Sequence, residues 1–283
     1  MDNGFALWLF AVSVGTSALG GMLGMAGGIF IVPILTIFGH LDFHVAAGAS
    51  LVSVIACSCG SAAPFLNQRL TNVRLAIVLE TATTLGALTG VLLAGAVPVS
   101  FLYFLFGAIM FLSAKQMFAK RKDPLLKKNS VAISGLGLDS SYPDRGLGCE
   151  VAYRVERVPM GMMLMYGAGL ISALLGIGSG VLKIPAMDTA LRLPIKVSSA
   201  TSNFMIGVTA AASAGAYFMR GDIVTAIAGP VALGSVVGAI AGARILIVVS
   251  NRKLRLAFVV ILIALGIQML LAAFGVQVIR SAA

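Results

Sequence analysis

The stretch Gly24–Pro33 reads GMAGGIFIVP and places a cluster of glycines inside an apolar region. A second stretch, Gly176–Pro185, reads GIGSGVLKIP and begins 152 residues later, since 176 minus 24 is 152. The same offset relates VAAGASL at Val45–Leu51 to VSSATSN at Val197–Asn203. In a membrane, the backbone that a glycine break leaves without helical hydrogen bonds is tolerated only where protein or a watery cavity covers it. The duplicated break therefore predicts two homologous repeats with a ligand site between them.

The composition places the chain in a bilayer. Of its 283 residues 59% are hydrophobic and 11% are charged, with a mean hydropathy of +1.02, whereas about a quarter of the residues in a soluble domain are charged. The apolar runs are continuous and do not alternate with a period of two, so we expect an all-α integral membrane protein. The N-terminus, MDNGFALW, lacks the basic region of a cleavable signal peptide, and we expect the first apolar segment to stay in the mature chain.

Ten apolar segments divide between the two halves. They are 5–22, 28–39, 44–66, 73–96 and 99–118, then 159–176, 180–190, 195–218, 223–248 and 254–275. The second segment of each half is too short to span, because 28–39 would rise about 18 Å as a helix against a hydrocarbon core of about 30 Å. Each half is therefore interpreted as a glycine-broken, re-entrant hairpin followed by three transmembrane helices. The predicted parts are a first repeat over 1–118, a linker over 119–158 and a second repeat over 159–283.

The basic residues of the loops indicate how the repeats are oriented. If each broken stretch counts as one crossing, thirteen Lys and Arg fall inside and six outside. If each makes no net crossing, the second half is inverted and the split becomes seventeen to two, with Lys183 left within the broken segment. The second count favours an inverted repeat with both termini outside. Eight plain crossings are the alternative.

The linker is predicted to be cytoplasmic. It opens with KRKDPLLKK, and the net charge of +10 lies in loops of this kind, which favours an orientation signal over nucleic-acid binding. VAYRVERV at Val151–Val158 alternates well enough for a short strand. A small hairpin cap and a disordered connector are both open for this region.

The glycine breaks have the features of an anion site built from backbone. A half-helix that starts after Gly28 or Gly180 presents free N–H groups and the positive end of its dipole to the membrane interior. Glycines let that backbone turn and approach a ligand, and Ser179 adds a hydroxyl. The candidate glycines are Gly24, Gly27, Gly28, Gly176, Gly178 and Gly180. Close helix packing of the small-xxx-small type is the alternative, which Gly20, Gly24 and Gly28 also fit.

Polar side chains follow each break near the predicted middle of the membrane. They are Ser50 in the first half and Thr201, Ser202 and Asn203 in the second. All lie about one and a half to two turns into their helices and can donate to an anion. Hydroxyls in membrane helices also bond their own backbone or a neighbouring helix, whereas the amide of Asn203 cannot be satisfied by such local bonds alone. The run TSN is therefore the stronger candidate.

Lys183 places a charge inside the membrane, three residues past Gly180, where the first half has Ile31. Such a residue is a functional hypothesis by default. It is expected to neutralise a bound anion or to pair with Glu80, the acidic residue deep in a spanning helix. Snorkelling to an interface is the alternative. Glu80 is also a candidate for carrying a coupled proton, since burial favours the neutral form of a carboxyl group.

Other chemistry has little support in the residues. His40, Asp42 and His44 offer metal ligands, but no further ligands cluster nearby, and a solvated loop is the favoured interpretation. The three cysteines lack the spacing of a zinc site or a disulfide framework. Because no Walker-type loop, Ser/His/Asp set or metalloprotease helix occurs, we expect no enzyme, no cofactor and no metal.

At these residues the chain resembles the TauE/SafE family of membrane permeases, associated with export of sulfite and organosulfonates across bacterial and archaeal cytoplasmic membranes. The family pattern is a glycine-rich break that runs into an apolar stretch and proline, followed by a small-residue, Ser-rich helix start. GMAGGIFIVP with AAGAS matches it, and GIGSGVLKIP with SSATSN matches it again. The resemblance implies an anion path lined by Gly24, Gly27, Gly28, Ser50, Gly176, Gly178, Gly180, Ser202 and Asn203. Ala26, Ser179 and Lys183 depart from the pattern, and Lys183 would suit a different or more highly charged substrate.

The resemblance implies a secondary transporter in the cytoplasmic membrane of a prokaryote that works by alternating access. Its expected partners are the small anion and the lipid bilayer. A passive anion channel, a transporter of another small organic anion and a membrane scaffold are the rival interpretations. Whether the chain forms a homo-oligomer is open, because small residues in the later helices suit packing within one chain or between chains. These residues are Gly86, Gly90, Gly234, Gly238 and Gly242.

Overall fold

The computed structural model of the chain describes residues 3–23, 27–67, 69–94, 96–118, 137–144, 149–245 and 251–274. These residues form ten helices and a two-stranded hairpin. The helices of the first half are α1 (Asn3–Leu23), α2 (Gly28–Ile37), α3 (Phe43–Asn67), α4 (Val73–Ala94) and α5 (Val99–Phe118). Those of the second half are α6 (Val158–Leu175), α7 (Gly180–Ala190), α8 (Ile195–Met219), α9 (Thr225–Ile245) and α10 (Asn251–Ala273). The strands β1 (Ser140–Asp144) and β2 (Cys149–Tyr153) lie between the halves.

Five of the described helices, α1, α3, α4, α6 and α9, are long and apolar enough to cross a membrane. By contrast, α2 has 10 residues and α7 has 11, which corresponds to about 15 to 17 Å and about half of a hydrocarbon core. The chain is therefore an all-α membrane protein with a small β-hairpin. Both short helices begin at the predicted glycines, Gly28 and Gly180.

Helix α4 packs along α6 through glycines. A Cβ atom built at Gly86 would overlap the carbonyl oxygen of Tyr166, and one built at Gly90 would overlap that of Leu170. Glycine is required at these two positions because its missing side chain lets the two backbones touch. Since Gly90 follows Gly86 in α4 and Leu170 follows Tyr166 in α6, the two helices run in the same direction.

The packing of α9 along α1 repeats this arrangement with the halves exchanged. A Cβ atom built at Gly238 would overlap the carbonyl oxygen of Val14, and one built at Gly242 would overlap that of Ala18. Each of these four residues is separated by 152 positions from its counterpart in the contact between α4 and α6. Gly238 corresponds to Gly86, for example, and Val14 corresponds to Tyr166. The glycines whose role the sequence left open therefore pack helices within one chain.

Helices α3 and α8 lie side by side and run in opposite directions. A Cβ atom built at Gly48, near the start of α3, would lie 2.6 Å from the carbonyl oxygen of Asp222, just beyond the end of α8. Asn72, just beyond the end of α3, donates its backbone N–H to the hydroxyl of Thr201 near the start of α8 (3.2 Å). The start of each helix thus meets the end of the other.

Helix α3 also packs along α9, and these two helices share one direction. The hydroxyls of Ser53 and Ser235 form a hydrogen bond of 2.5 Å. Further along both helices, a Cβ atom built at Gly60 would lie 3.3 Å from the Cβ of Ala239. Helices α1, α3 and α9 therefore run in one direction.

The β-hairpin of the linker caps one end of the helices. Its strands pair antiparallel, with Tyr142 opposite Val151, and both side chains pack against Val197 at the start of α8. Of the two alternatives for this region, the hairpin is the one observed, although its second strand begins at Cys149, two residues earlier than predicted. The basic start of the linker lies outside the described residues.

Asn72 ties this hairpin to the helices. Its amide donates to the carbonyl of Leu138 (2.9 Å) and to the hydroxyl of Tyr153 (3.0 Å). Its side-chain oxygen accepts the N–H of Leu75 in the first turn of α4 (3.1 Å). Burial raises the pKa of Tyr153 above its usual value, so the phenol in this network stays neutral. One side chain therefore both caps a helix and holds the hairpin.

Candidate functional site

The two glycine breaks meet in the interior of the structure. Helix α6 is followed by Gly176, whose φ of 65° is left-handed, and Gly178 has a φ of 71°. Glycine adopts these angles without the strain of a side chain, so the chain can turn here between α6 and α7. A Cβ atom built at Gly28, the first residue of α2, would lie 2.6 Å from the carbonyl oxygen of Ile177. The break of the first half therefore touches the backbone of the second.

Both short helices begin at this meeting point with uncapped N-termini. The N-cap residue is Gly27 in α2 and Ser179 in α7, and neither makes a side-chain capping bond. The first N–H groups of a helix have no partner within it, and they carry the positive end of its dipole. Two positive helix ends therefore converge on one buried region, which favours a negative charge there.

Among the described residues, several polar side chains at the second break or on α1 and α8, the helices that pack against the breaks, are buried without a hydrogen-bond partner. They include Ser17, Ser179, Ser202 and Asn203, each at most 1% exposed. In Asn203 both the donor and the acceptor of the side-chain amide are unpartnered. Buried polar groups are almost always hydrogen-bonded, and an unpaired one costs about 1 to 3 kcal/mol. Side chains of this kind are free to bind a polar ligand, although Ser13, His44, Thr71 and Ser198 also have unpartnered buried atoms.

Ser17 is a candidate that the sequence did not reveal. A Cβ atom built at Gly27 would lie 2.7 Å from its Oγ, so this hydroxyl lies directly against the N-cap of α2. In the sequence it is one of several hydroxyl residues of the first apolar segment. The available signal was its place on the helix that leads into the first break.

The structure brings most of the predicted site residues to this meeting point. The buried ones are Gly27, Gly28, Gly176, Gly178, Ser179 and Gly180. Ser50 donates to the carbonyl oxygen of Gly28 (3.3 Å), whereas Thr201 is engaged by the N–H of Asn72 near the hairpin. Gly24 lies outside the described residues. Contact of these residues with an anion stays a prediction.

Lys183 pairs with Glu80 in the interior. Its Nζ lies 2.9 Å from Glu80 Oε2 and 2.6 Å from Thr209 Oγ1. The hydroxyl of Thr209 in turn donates to Glu80 Oε1. Because Lys183 is 0% exposed, snorkelling to an interface is excluded, and the pairing with Glu80 is observed. Lys183, Glu80 and Thr209 are called the ionic triad below.

The ionic triad has no charged counterpart in the other half. At the offset of 152 residues, the corresponding residues are Ile31, Ala232 and Cys57. Thr209 was missed in the sequence because packing, across 129 residues, brings it to Glu80. The signal that could have found it is a threonine where the other half has Cys57.

A groove between α4 and α8 leads from the outside of the bundle to Glu80. It has a volume of about 610 Å³ and is lined mostly by apolar side chains, among them Leu85 and Phe204. Leu85 is 60% exposed although it is apolar, as expected of a helix face that contacts lipid. Glu80 is 8% exposed. Glu80 therefore lines the inner end of this groove, while its carboxylate oxygens face Lys183 and Thr209.

Of the metal-ligand candidates His40, Asp42 and His44, Asp42 has a local hydrogen bond. Asp42 accepts the backbone N–H of His44 (2.9 Å) next to the start of α3. Within the described residues, no group of three or more His, Cys, Asp or Glu is placed to hold a metal ion. Cys57 is buried and Cys59 exposed, and both are free thiols.

A multi-pass bundle with two half-length helices that start in its interior, and with a buried ion pair, has the architecture of a membrane transporter. The family model described as Sulfite exporter TauE/SafE matches residues 9–269. The chain belongs to this family of membrane transporters, and the resemblance seen in the sequence is confirmed.

Two relatives from Bacillus subtilis (strain 168) are similar over most of the chain. The probable membrane transporter protein YunE is 24% identical over 264 residues, which covers 89% of this chain and 92% of the relative. The probable membrane transporter protein YdhB is 25% identical over 224 residues, which covers 79% of this chain and 83% of the relative. No solved structure matches the chain.

Proposed function

We propose that the chain is a secondary transporter that exports a small sulfur-containing anion, sulfite or an organosulfonate, across the cytoplasmic membrane. The observation that carries this proposal is the meeting of two buried helix N-termini at the breaks, where the hydroxyl of Ser179 is unpartnered. Ser202 and Asn203 are also buried and unpartnered, and they lie on α8, which packs against Gly178 through Ile206. The description of the family as a sulfite exporter supports a sulfur anion.

The anion is held near the midplane by backbone and neutral side chains. Sulfite and sulfonates present several acceptor oxygens, which suit the N–H groups at the starts of α2 and α7. The hydroxyls of Ser179 and Ser202 and the amide of Asn203 supply further donors, and these are the groups that lack partners. Binding would therefore satisfy side chains that otherwise destabilise the fold.

The two halves form inverted repeats in this proposal. Its support is the direction of the helices: α3 and α8, which are counterparts at the offset of 152 residues, run in opposite directions, as judged from the contacts of Gly48 and Asn72. The half-length α2 and α7 return toward the side from which α1 and α6 enter. The linker then lies on the cytoplasmic side with most basic residues, and both termini lie outside.

Transport proceeds by alternating access around the breaks. The tight glycine contacts attach α1 to α9 and α4 to α6, so each entry helix is fixed to the opposite repeat. The breaks at 27–28 and 176–180 carry irregular backbone between these fixed pairs, and they supply the hinges. Export is the direction that the family description supports.

The test is counterflow in liposomes that contain the purified chain. Vesicles loaded with sulfite, taurine or a simple carboxylate are diluted into the labelled compound, and its uptake is followed against time. Saturable uptake that is accelerated by internal sulfite or taurine is the expected result. Currents without saturation or acceleration would favour a passive anion channel. Acceleration by the carboxylate alone would favour another organic anion, and no movement of any compound would favour a scaffold.

A matched pair of variants connects the activity to the breaks. Gly28→Ala places a methyl group 2.6 Å from the carbonyl of Ile177 and 2.8 Å from the Ser50 hydroxyl, so we expect counterflow to be lost. Gly167→Ala is the control, because a Cβ atom there meets nothing within 4 Å. Full activity of Gly28→Ala would contradict a site at the breaks.

A further inference from the structure

The ion pair within the ionic triad, Lys183 with Glu80, has no equivalent that the fold needs in the other half. The other half of the chain builds the corresponding position from Ile31, Ala232 and Cys57, which are uncharged. A buried ion pair is weak evidence for stability, since apolar residues of similar volume often serve as well or better. The charges in this half therefore call for a role other than holding helices together.

We propose that Lys183 is shared between Glu80 and the transported anion, and that one proton is bound by Glu80 for each anion that draws Lys183 away. This inference rests on the proposed anion site and adds its coupling. Before binding, the ammonium of Lys183 pairs with the Glu80 carboxylate, and the charges cancel. After binding, the ammonium pairs with the anion, and the carboxylate takes a proton from water to become a neutral carboxylic acid.

Lys183 is placed to contact both partners. It lies in the first turn of α7, where its backbone N–H bonds the carbonyl of Ser179 (2.8 Å), so its side chain starts at the second break. A lysine stem has four flexible carbons and carries a compact charge. Its Nζ now points to Glu80 at 2.9 Å. Ser179, whose hydroxyl is buried without a partner, precedes Lys183 by four residues, so the two side chains lie on the same face of this first turn.

Electrostatics couples the two steps. An unpaired charge in the membrane interior costs several kcal/mol, and removal of one partner from a buried ion pair costs about 3 to 5 kcal/mol. If Lys183 turned to the anion while Glu80 stayed ionised, the carboxylate would bear that cost. Protonation of the Glu80 carboxylate removes this cost, because the resulting carboxylic acid is neutral. The hydroxyl of Thr209, which donates to Glu80 in the ion pair, can rotate and accept from the neutral acid.

The other ionisable groups on the helices around Glu80 leave this exchange to Lys183. On α4 itself Arg74 is exposed, and the hydroxyl of Thr84 lies 3.4 Å from Glu80 Oε1. Among the described residues, α6 offers Tyr166, bonded to Thr89 (3.1 Å), and α7 offers Asp188, five residues beyond Lys183. On α8, Tyr217 donates to the carbonyl of Ala173 (2.8 Å), and Arg220 at the end of the helix is paired with Asp222 (2.8 Å).

The lipid-facing groove gives a chemical readout of the Glu80 proton. Dicyclohexylcarbodiimide is a small apolar reagent that adds to a protonated carboxyl group, the acid O–H adding across one C=N bond, and it does not add to an ion-paired carboxylate. Glu80 lines the groove of about 610 Å³, and its side chain is 10% exposed, so the reagent approaches the carboxyl group from this side. Labelling of the peptide that contains Glu80, measured by mass spectrometry, thus reports the neutral carboxyl group.

The experiment compares the purified full chain with and without methanesulfonate, a sulfonate that neither titrates near neutral pH nor reacts with the carbodiimide. We expect labelling of Glu80 to rise at least fivefold with methanesulfonate, and a weakly buffered sample to take up about one proton per bound anion. Lys183→Ile, which copies Ile31, should label strongly without the anion. Glu80→Gln should show neither labelling at this position nor proton uptake.

A thermal shift of the same samples separates the two proposals, because a ligand that binds the folded state raises the melting temperature. If methanesulfonate stabilises the wild type but leaves labelling and proton uptake unchanged, the coupling is wrong and the anion site stands. If neither methanesulfonate nor sulfite stabilises the chain, the anion site is wrong and the coupling falls with it. The wild-type measurements decide both points even where Lys183→Ile fails to fold.

Discussion

Replacement of Asn203 by leucine should make the protein more stable and remove its ability to bind an anion. Leucine has the same branched skeleton as asparagine, and Leu51 occupies the corresponding position in the other half. Asn203 is 1% exposed, and neither its Nδ2 nor its Oδ1 has a hydrogen-bond partner. The side chain is therefore a cost to the ligand-free fold that a bound ligand would offset.

The size of the effect follows from these two atoms. Each unpaired buried group costs about 1 to 3 kcal/mol, so Asn203→Leu should stabilise the ligand-free protein by at least about 2 kcal/mol. At about 2 to 4 °C per kcal/mol for chains of 150 to 250 residues, the melting temperature should rise by about 4 to 8 °C. Gains in stability at the expense of a functional residue are common in active sites.

The assay is thermal unfolding in detergent with and without sulfite or methanesulfonate, together with counterflow. The variant should melt higher, show no ligand-dependent shift and give no counterflow. Ser61→Ala is the control, because this equally buried hydroxyl is satisfied by the carbonyl of Cys57 (2.8 Å); it should bind the anion as the wild type does. A lower melting temperature of Asn203→Leu with intact anion binding would refute the reasoning.

Three further predictions concern packing and charge. Gly86→Ala should lower the melting temperature by at least about 2 °C, since overpacking costs about 1 to 3 kcal/mol, whereas Gly167→Ala on the partner helix, with open space around it, should not; equal melting temperatures would contradict the backbone contact. Glu80→Ala alone should destabilise the protein by about 3 to 5 kcal/mol, because it leaves the charge of Lys183 buried and unpaired. Adding Lys183→Ile removes that charge and should restore most of the stability in thermal unfolding. If the double variant melts no higher than Glu80→Ala, the unpaired charge is not the cause. Asn72→Ala should expose the hairpin to limited proteolysis while the helices keep their circular dichroism, because its two bonds to the hairpin disappear; unchanged proteolysis would show that the hairpin is held elsewhere.

The sequence predicted the features that depend on local residues. Gly28 and Gly180 begin short helices because glycines clustered within a few residues let the chain turn inside an apolar run, and the run that follows is too short to span. The offset of 152 residues also located counterparts such as Ser50 and Ser202 before any packing was known. These inferences needed only hydropathy, length and self-similarity.

The remaining features depend on contacts between distant parts of the chain. The sequence offered Glu80 and an anion as alternative partners for Lys183, and only packing showed the ion pair and added Thr209 to it. In the same way, the predicted depth in the membrane made Thr201 as good a ligand candidate as Ser202 and Asn203. In the structure, however, the Thr201 hydroxyl accepts the backbone N–H of Asn72, whereas the Ser202 hydroxyl has no partner. Depth is a property of one helix, whereas partners depend on how helices cross.

The exchanged packing of α1 with α9 also determines when the first helix finds its place during synthesis. The carbonyl of Val14 meets Gly238, and 224 residues separate them, since 238 minus 14 is 224. At about 5 to 20 residues per second, about 11 to 45 s pass between the synthesis of the two partners. For most of its own translation, the chain therefore holds its first helix in the membrane with contacts to α2 and α3, before the helix along which it packs most closely has been made.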